Sequence, residues 1–335
     1  MTMPIPCPPP IAHDKPWLAP LAGWSDLPFR LLCRELGAAV CCTEMISAKG
    51  LCYGGRNTEE LLQTCPEDSP LVAQIFGSDA EFMGKAVSLL RERGFTYFDV
   101  NVGCSVPKVV KTGSGAAMLR DIPNLLKVAE AVVDAADGKA GFKLRLGYEL
   151  GNSVCEHAAC ELQRLGAAWI TLHPRFAKQG FSGVPDYSAL ARLSDSLRIP
   201  VIASGDLFTA DDAFRVMAET GVSGVMYARG ALKDPRIFMR HSAASHGGHT
   251  PSGAQPECTL TPKEERLQIG AVVRRHAELA KQWTPKTALL KMRTIIPRYV
   301  KGIEGASNLR KALITCDSYE RFDSIMEGFF PESDG

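Results

Sequence analysis

The chain of 335 residues lacks the patterns that define several common protein classes. No uninterrupted apolar run approaches the roughly 20 residues that cross a bilayer, which argues against a membrane-spanning protein. The proline-rich start, Met1 to Lys15, has neither a basic stretch nor an apolar core, so we expect no secretory signal there. The eleven cysteines form no Cys-x-x-Cys pair or other metal-like spacing. These absences predict a cytoplasmic protein with free thiols and no bound metal.

Net charge is also small, at +1, but it is unevenly distributed along the chain. Between Arg266 and Lys311, eleven Lys or Arg residues accompany only two acids, Glu278 and Glu304. This stretch therefore carries a charge of +9, and the rest of the chain carries −8. Such a split predicts a C-terminal surface that binds a polyanion. Charge alone is equally consistent with a helical bundle that has a solvated basic face.

Short apolar strands alternate with longer amphipathic segments along most of the chain. This alternation predicts eight strands: Trp17 to Leu21, Val40 to Glu44, Leu71 to Phe76, Phe95 to Val100, Phe142 to Leu146, Trp169 to His173, Val201 to Ser204 and Gly224 to Tyr227. Eight such units favour an α/β fold, a closed (β/α)8 TIM barrel, over an open parallel sheet.

The sequence also predicts that the chain is divided into four structural regions. Residues 1–16 form a proline-rich N-terminal tail, and residues 17–244 form the barrel. Residues 245–261, rich in glycine and proline, form a linker. Residues 262–335 form a small all-helical domain that contains the basic stretch.

A polar or glycine-bearing segment follows each predicted strand. In a TIM barrel the chemistry lies at these carboxyl ends of the strands. Any one such residue could simply cap a strand, and Cys104 alone could be a small packing residue rather than an acid or nucleophile. Eight coincident endings predict an active site, and they are Ala22-Gly23, Glu44, Gln74, Asn101 with Cys104, Lys143 with Arg145, His173 with Arg175, Ser204-Gly205-Asp206, and Ala228-Arg229-Gly230.

The last two endings predict a phosphate-bearing cofactor. Glycine turns after the seventh and eighth strands of a barrel expose backbone N–H groups that bind phosphate. Gly205 and Gly230 permit a close backbone approach, and Arg229 adds positive charge. Lys143 would hold negative charge on a reduced flavin. Flavin mononucleotide (FMN) fits better than a dinucleotide, because no Gly-x-Gly-x-x-Gly turn follows the first strand.

Several segments, taken together, resemble the tRNA-dihydrouridine synthases. They are Leu18 to Arg30, Thr43 to Ala48, Asp99 to Cys104, Lys143 to Gly147, Ser204 to Asp206 and Ala228 to Gly230. The resemblance extends from about Trp17 through Lys311. It includes Tyr299 to Ala306, which is similar to the helical tRNA-binding region of that family.

The resemblance implies an FMN-dependent enzyme that uses NADPH to reduce the C5=C6 bond of specific uridines in tRNA. It implies tRNA as the partner, and we expect a monomer. Cys104 matches the catalytic proton donor. The residues that match cofactor-binding positions are Pro20, Leu21, Ala22, Gln74, Lys143, His173, Ser204, Gly205, Asp206, Ala228 and Arg229.

Three further residues are candidates for substrate binding: Asn101, Arg145 and Arg175. The chain departs from the family patterns Gly-Cys-Pro, His-Gly-Arg and Asn-Gly-Asp at three positions, namely Ser105, Pro174 and Ser204. Each departure keeps the neighbouring functional residue.

Two other functions account for part of the sequence. An FMN-dependent barrel oxidoreductase acting on a small enone or a dihydroorotate-like molecule would explain the phosphate turns and Lys143, but it would leave the basic stretch unused. A non-catalytic RNA-binding protein would explain the basic stretch, but it would leave Cys104 and Lys143 unused.

Overall fold

A computed structural model describes residues 8–246 and 260–330. Its core is a closed barrel of eight parallel strands with one further two-residue strand, β3 (Ile46–Ser47). Because β1 pairs with both β2 and β9, and β2 pairs with β4, the eight barrel strands form a closed ring. The barrel strands are β1 (Trp17–Leu18), β2 (Val40–Cys42), β4 (Leu71–Phe76), β5 (Tyr97–Val102), β6 (Ala140–Arg145), β7 (Trp169–His173), β8 (Val201–Ser204) and β9 (Gly224–Tyr227).

Helices surround this barrel, and local signals in the sequence set their ends. Asp26 caps α1 by accepting a hydrogen bond from the N–H of Phe29, and Asp79 caps α4 in the same way. The helices up to residue 246 are α1 (Leu27–Glu35), α2 (Ala48–Cys52), α3 (Arg56–Leu61), α4 (Ala80–Glu92), α5 (Pro107–Val110), α6 (Ile122–Ala135), α7 (Cys155–Arg164), α8 (Tyr187–Ser196), α9 (Ala210–Thr220), α10 (Arg229–Lys233) and α11 (Ile237–His246). Two 3₁₀ segments, Pro66–Asp68 and Gly115–Arg120, complete this part.

Two tryptophans fill the barrel interior at its amino-terminal end. The rings of Trp17 and Trp169 are buried and meet edge to face, with their centroids 5.7 Å apart. Trp17 donates its indole N–H to the carbonyl of Pro10, and His13 hydrogen-bonds to the carbonyl of Val222. Residues 8–16 therefore lie across this end of the barrel, which leaves the carboxyl ends of the strands for chemistry.

Within residues 260–330, four helices form the C-terminal region: α12 (Pro262–Trp283), α13 (Ala288–Tyr299), α14 (Ala306–Ile314) and α15 (Tyr319–Phe329). A capping box of Thr261 and Glu264 starts α12. Buried His276 on α12 hydrogen-bonds to Tyr299 on α13 and packs against Phe29 on α1 of the barrel. The helical region is thus joined to the barrel through a buried interface on α1.

Ion pairs surround this interface. Arg275 binds Glu35 through two N–H groups, at 2.8 and 2.7 Å, and Lys291 lies 2.5 Å from Asp26. Two residues of the basic stretch, Arg275 and Lys291, are therefore paired with acids of the barrel.

The predicted fold class, a TIM barrel followed by a helical C-terminal region, is confirmed. Strand β3 was not predicted. Most of the predicted linker lies outside the described residues, and α11 extends to His246, into its first two positions. No helix in the described ranges is both long and apolar enough to span a membrane.

Candidate active site

The carboxyl ends of the barrel strands surround a cavity of about 420 Å³. Cofactor and small-molecule sites typically measure roughly 300 to 1,000 Å³. Of the residues matched to catalytic, cofactor-binding or substrate-binding positions, all except Arg175 line this cavity: Pro20, Leu21, Ala22, Gln74, Asn101, Cys104, Lys143, Arg145, His173, Ser204, Gly205, Asp206, Ala228 and Arg229. Two members of the predicted strand endings, Gly23 and Glu44, do not line it, and the N–H of Gly23 instead donates to the Glu44 carboxylate. The closed parallel barrel brings them together, because every strand ends on the same face.

Cys104 begins the loop after β5 and is half-buried in the cavity wall. Its N–H donates to Asn101 Oδ1 at 2.8 Å, and its carbonyl oxygen accepts from the N–H of Ala116 at 2.9 Å. Gly115 has φ +63°, and a Cβ there would lie 2.6 Å from the Cys104 carbonyl oxygen. Only glycine permits both this backbone conformation and this close approach. The thiol is therefore carried by a loop that is fixed on both sides.

Asn101 and Gln74, on neighbouring strands, support this loop from below. Asn101 Nδ2 donates to Gln74 Oε1 at 2.9 Å, and Gln74 Nε2 donates to Asp99 Oδ2 at 2.7 Å. Asn101 Oδ1 also accepts from the N–H of Gly103, at 3.2 Å. Most of the hydrogen-bonding capacity of the Asn101 amide is thus used within the protein rather than directed at a substrate.

Lys143 projects from β6 at the same level as Asn101 on β5 and Thr171 on β7, because these residues are paired in the barrel register. Burial lowers the pKa of its ammonium group, and the nearby Arg145 guanidinium lowers it further. The Arg145 side chain is itself anchored, since it donates to three backbone carbonyls, one of them that of Gly103 at 3.0 Å. Two cations thus lie close together at the cavity.

Four positively charged side chains lie near the buried ring of His173. Burial is the largest cause that lowers the pKa of His173 to about 2, so its ring is neutral at physiological pH. Nearby positive charges lower it further, and they belong to Lys143, Arg145, Arg175 and Arg229. A cavity with this charge distribution favours an anionic ligand.

Arg175 is only 1% exposed and does not line the cavity. Two of its N–H groups bind the Asp206 carboxylate, at 2.9 and 2.6 Å, and others donate to the carbonyls of Ser182 and Gly183. The hydrogen bond from Arg175 lowers the pKa of Asp206, which also pairs with Arg229. Arg175, proposed from the sequence as a substrate contact, instead braces Asp206, and Asp206 in turn holds Arg229 at the cavity wall.

The turns that follow β8 and β9 are in direct backbone contact. A Cβ at Gly230 would overlap the carbonyl oxygen of Leu207, so a larger residue would push the two turns apart. Gly205 has φ +107°, and a Cβ there would lie 2.5 Å from His173 Cδ2. Both glycines are therefore required for the shape of this end of the cavity.

Two aromatic side chains at the cavity were missed by the sequence analysis. Phe181 is 59% exposed, stacks on His173 with centroids 6.0 Å apart, and lies 4.2 Å below the Arg229 guanidinium. Phe208 lies 5.3 Å from the same guanidinium. The only local signal for Phe181 is its position between two glycines, Gly180 and Gly183, soon after His173.

Trp24, in the loop after β1, was also missed. It lines the cavity, and the guanidinium of Arg298 on α13 lies 4.3 Å from its ring centroid. This contact brings a basic residue of the helical region to the edge of the barrel cavity. Its signal in the sequence is weak, because the two residues are far apart in the chain.

Within the described ranges there is no group of three or more His, Cys, Asp or Glu side chains that could hold a metal ion. All nine cysteines in those ranges have free thiols. The closed barrel, with a cavity at the carboxyl ends of its strands that combines apolar walls with cationic side chains, defines a TIM-barrel enzyme.

Comparison with known proteins identifies the family. The model of the family "Dihydrouridine synthase (Dus)" matches residues 17–330. A probable tRNA-dihydrouridine synthase of Treponema pallidum is 29% identical over 94% of this chain and 93% of its own length. A probable tRNA-dihydrouridine synthase of Mycobacterium tuberculosis is 31% identical over 94% of this chain and 83% of its own length. The chain therefore belongs to the dihydrouridine synthase family, and the resemblance found in its motifs is confirmed.

Solved structures agree on the fold. A 6-hydroxypseudooxynicotine amine oxidase from Pseudomonas geniculata has a TM-score of 0.54, at 11% identity, over 80% of this chain and 52% of that protein. Histamine dehydrogenase from Rhizobium sp. 4-9 has a TM-score of 0.51, at 12% identity, over 80% of this chain and 50% of that protein. At this identity the likeness concerns the barrel architecture alone.

Proposed function

We propose that this protein is a cytoplasmic tRNA-dihydrouridine synthase that binds FMN, uses NADPH as reductant, and reduces the C5=C6 bond of uridines in tRNA. The observation that carries the proposal is one cavity that combines a positively charged wall with a positioned thiol, Cys104. The relatives in the family support tRNA as the substrate, because their names describe that activity.

The residues of the cavity fit a flavin. Apolar wall residues, among them Pro20, Leu21 and Ala22, suit the faces of a planar ring. Gln74 and Lys143 supply polar and positive groups for the ring edge. The phosphate would lie against the glycine turns, whose members at the cavity are Ser204, Gly205, Asp206, Ala228 and Arg229.

FMN held by these residues and reduced by NADPH would supply the hydride for C6 of the uracil ring. Negative charge then develops toward C5, and Sγ of Cys104 provides the proton that neutralises it. Asn101 holds the Cys104 N–H at 2.8 Å, which keeps the donor in place, and buried His173 stays neutral and adds no competing acid.

A surface of the helical region supports tRNA binding. Several members of the basic stretch are exposed and form no ion pair within the described ranges: Lys286, Arg298, Lys301, Arg310 and Lys311. A uridine in folded tRNA must leave its stack to reach a buried site, so a phosphate-binding surface beside the cavity is needed. Arg298 links the two, because it lies over Trp24 at the cavity. A small-molecule oxidoreductase would leave this surface unused.

The catalytic part of the proposal is tested with Cys104→Ala in the full-length, FMN-loaded protein. We expect flavin binding and NADPH oxidation by an artificial acceptor to be unchanged, while oxidation of the reduced flavin by tRNA in a single turnover slows by about 10²- to 10⁴-fold. Cys160→Ala is the matched control, because Cys160 is a half-buried free thiol outside the cavity. A Cys104→Ala rate within about threefold of the parent would remove Cys104 from the mechanism.

The substrate part is tested by tRNA binding at several salt concentrations. Lys301→Ala should lower the slope of log affinity against log salt by about one, if its ammonium contacts one phosphate. Lys127→Ala is the control with the same change in charge, because Lys127 is exposed on α6 of the barrel. Equal salt slopes for the two variants would show that Lys301 contacts no phosphate and that the basic stretch is only a solvated surface.

A further inference from the structure

A continuous chain of hydrogen bonds runs from the barrel interior to the backbone of Cys104. Asp99 Oδ2 accepts from Gln74 Nε2 at 2.7 Å, and Gln74 Oε1 accepts from Asn101 Nδ2 at 2.9 Å. Asn101 Oδ1 then accepts from the N–H of Cys104 at 2.8 Å. The side chains of Asp99, Gln74 and Asn101 are all buried. The inner end of this chain, Asp99, is 1% exposed and takes no part in the proposed chemistry.

The donor and acceptor roles along this series of hydrogen bonds are fixed at both ends. A backbone N–H can only donate, so Asn101 must turn its oxygen toward Cys104 and its NH₂ toward Gln74. Gln74 must then present its oxygen to Asn101 and its NH₂ to the barrel interior, where it requires an acceptor. Asp99 Oδ2 is that acceptor. Oδ2 still accepts if a proton resides on Oδ1, so the direction of these hydrogen bonds does not depend on the charge of Asp99.

Packing alone does not explain an acid at this position. Asp99 Oδ1 is buried and has no hydrogen-bond partner in the described part of the chain. Burial of a carboxyl group is unfavourable and is the main cause that raises the pKa of Asp99, against the opposing effects of the Gln74 hydrogen bond and the Lys143 charge. An apolar side chain would fill the same space without the burial penalty. Residue 99 pairs with Gln74 in the register of β4 and β5, and it precedes Asn101 by two residues on β5. The acid therefore lies where an acceptor is needed.

From this arrangement we infer that Asp99 is a positioning residue: it orients the Gln74 amide and, through Gln74 and Asn101, holds the Cys104 loop in place. The role rests on the proposed function of Cys104 as proton donor. Without the acceptor, the Gln74 NH₂ is left buried and unpaired, and Gln74 must rotate away from Asn101. Asn101 then loses its support, and the thiol is no longer held in one position relative to the substrate.

The inference is tested with Asp99→Leu, which removes the acceptor, and Asp99→Asn, which retains one. With saturating tRNA, Asp99→Leu should slow single-turnover flavin oxidation by about 10- to 100-fold, as expected for a donor displaced by a fraction of an ångström. Asp99→Asn should recover most of this rate. Asp99→Ala is the second variant if leucine does not fit. Thr171→Val is the control, because Thr171 Oγ1 is also buried and unpartnered in the barrel but does not belong to the chain.

A double variant shows whether Asp99 acts through Cys104. In the Cys104→Ala background, Asp99→Leu should slow the reaction by less than about twofold, because the group that it positions is already missing. Full additivity of the two effects would overturn the inference. Equal rates for Asp99→Leu and Asp99→Asn would also overturn the inference, because both variants remove the charge but only asparagine keeps an acceptor for Gln74.

A second readout does not depend on activity. Alkylation of Cys104 by iodoacetamide, followed by peptide mass spectrometry, should become at least about threefold faster in Asp99→Leu, because the loop loses a restraint. Alkylation of Cys160 should not change. If Cys104 alkylation is faster but Cys104→Ala has normal turnover, the proposed function fails while the hydrogen-bonded chain stands. An unchanged alkylation rate at Cys104 in both Asp99→Leu and Asp99→Ala would show that the hydrogen bonds from Asp99 do not hold the Cys104 loop.

Discussion

Stability should fall as the pH is lowered from 7 to 5, because a neutral histidine joins the helical region to the barrel. His276 on α12 is buried, hydrogen-bonds to the Tyr299 hydroxyl at 3.0 Å, and packs against Phe29 on α1 with ring centroids 5.7 Å apart. Burial is the main cause that lowers the pKa of His276 from 6.5 to about 4. Protonation of His276 therefore destabilises the buried interface between the helical region and the barrel.

The sign and size follow from linkage between protonation and folding. The unfolded chain binds this proton below pH 6.5, and the folded protein binds it only below about pH 4. The contribution of neutral His276 is therefore fully present above pH 6.5 and is lost as the pH falls toward 4. Between pH 7 and pH 5, the free energy of unfolding should decrease by about 2 kcal/mol from this residue alone.

The assay is urea unfolding at pH 7 and pH 5. His276→Gln keeps a polar side chain that does not titrate, so its free energy of unfolding should fall by about 2 kcal/mol less than that of the parent over this interval. His157→Gln is the control, because His157 is exposed on α7. If His276→Gln and the parent lose the same free energy between the two pH values, the buried neutral histidine does not link stability to pH.

Two further variants test the cavity and its border. Gly205→Ala would place a Cβ 2.5 Å from His173 Cδ2, in a backbone with φ +107°. We therefore expect FMN affinity to fall at least about tenfold, while far-UV circular dichroism stays unchanged. Normal affinity in a flavin titration would contradict the shape assigned to this turn. Arg298→Met removes the guanidinium that lies 4.3 Å from the Trp24 ring, so we expect weaker tRNA binding with a salt slope lowered by about one and with unchanged FMN affinity. A salt slope equal to that of the parent would show that Arg298 contacts no phosphate.

The barrel strands and the ends of several helices could be predicted from the sequence, because they depend on local signals. An apolar run followed by a polar or glycine-bearing turn recurs eight times, and Asp26 and Asp79 stand where α1 and α4 need caps. The two-residue strand Ile46–Ser47 was not predicted, since it has little periodicity of its own and exists through its pairing with β4.

The basic stretch shows the limit of a charge count. Its net charge of +9 was visible in the sequence, but the partner of each residue was not. Arg275 and Lys291 bind acids of the barrel, whereas Lys301 is exposed and forms no ion pair within the described ranges. Which basic residues are available to a polyanion depends on how α12 and α13 pack against α1.

The sequence by itself determined that the functional residues meet, because parallel strands in a closed barrel all end on one face. Only the tertiary structure decided what each residue does there. Arg145 lines the cavity, whereas Arg175 turns inward to the Asp206 carboxylate. Asp99 belongs to a motif that the sequence revealed, but only the structure shows that its carboxylate accepts from the Gln74 amide and so supports the amides that hold Cys104. Side-chain direction and hydrogen-bond partners depend on neighbours that are distant in the chain, and folding alone brings those neighbours into contact.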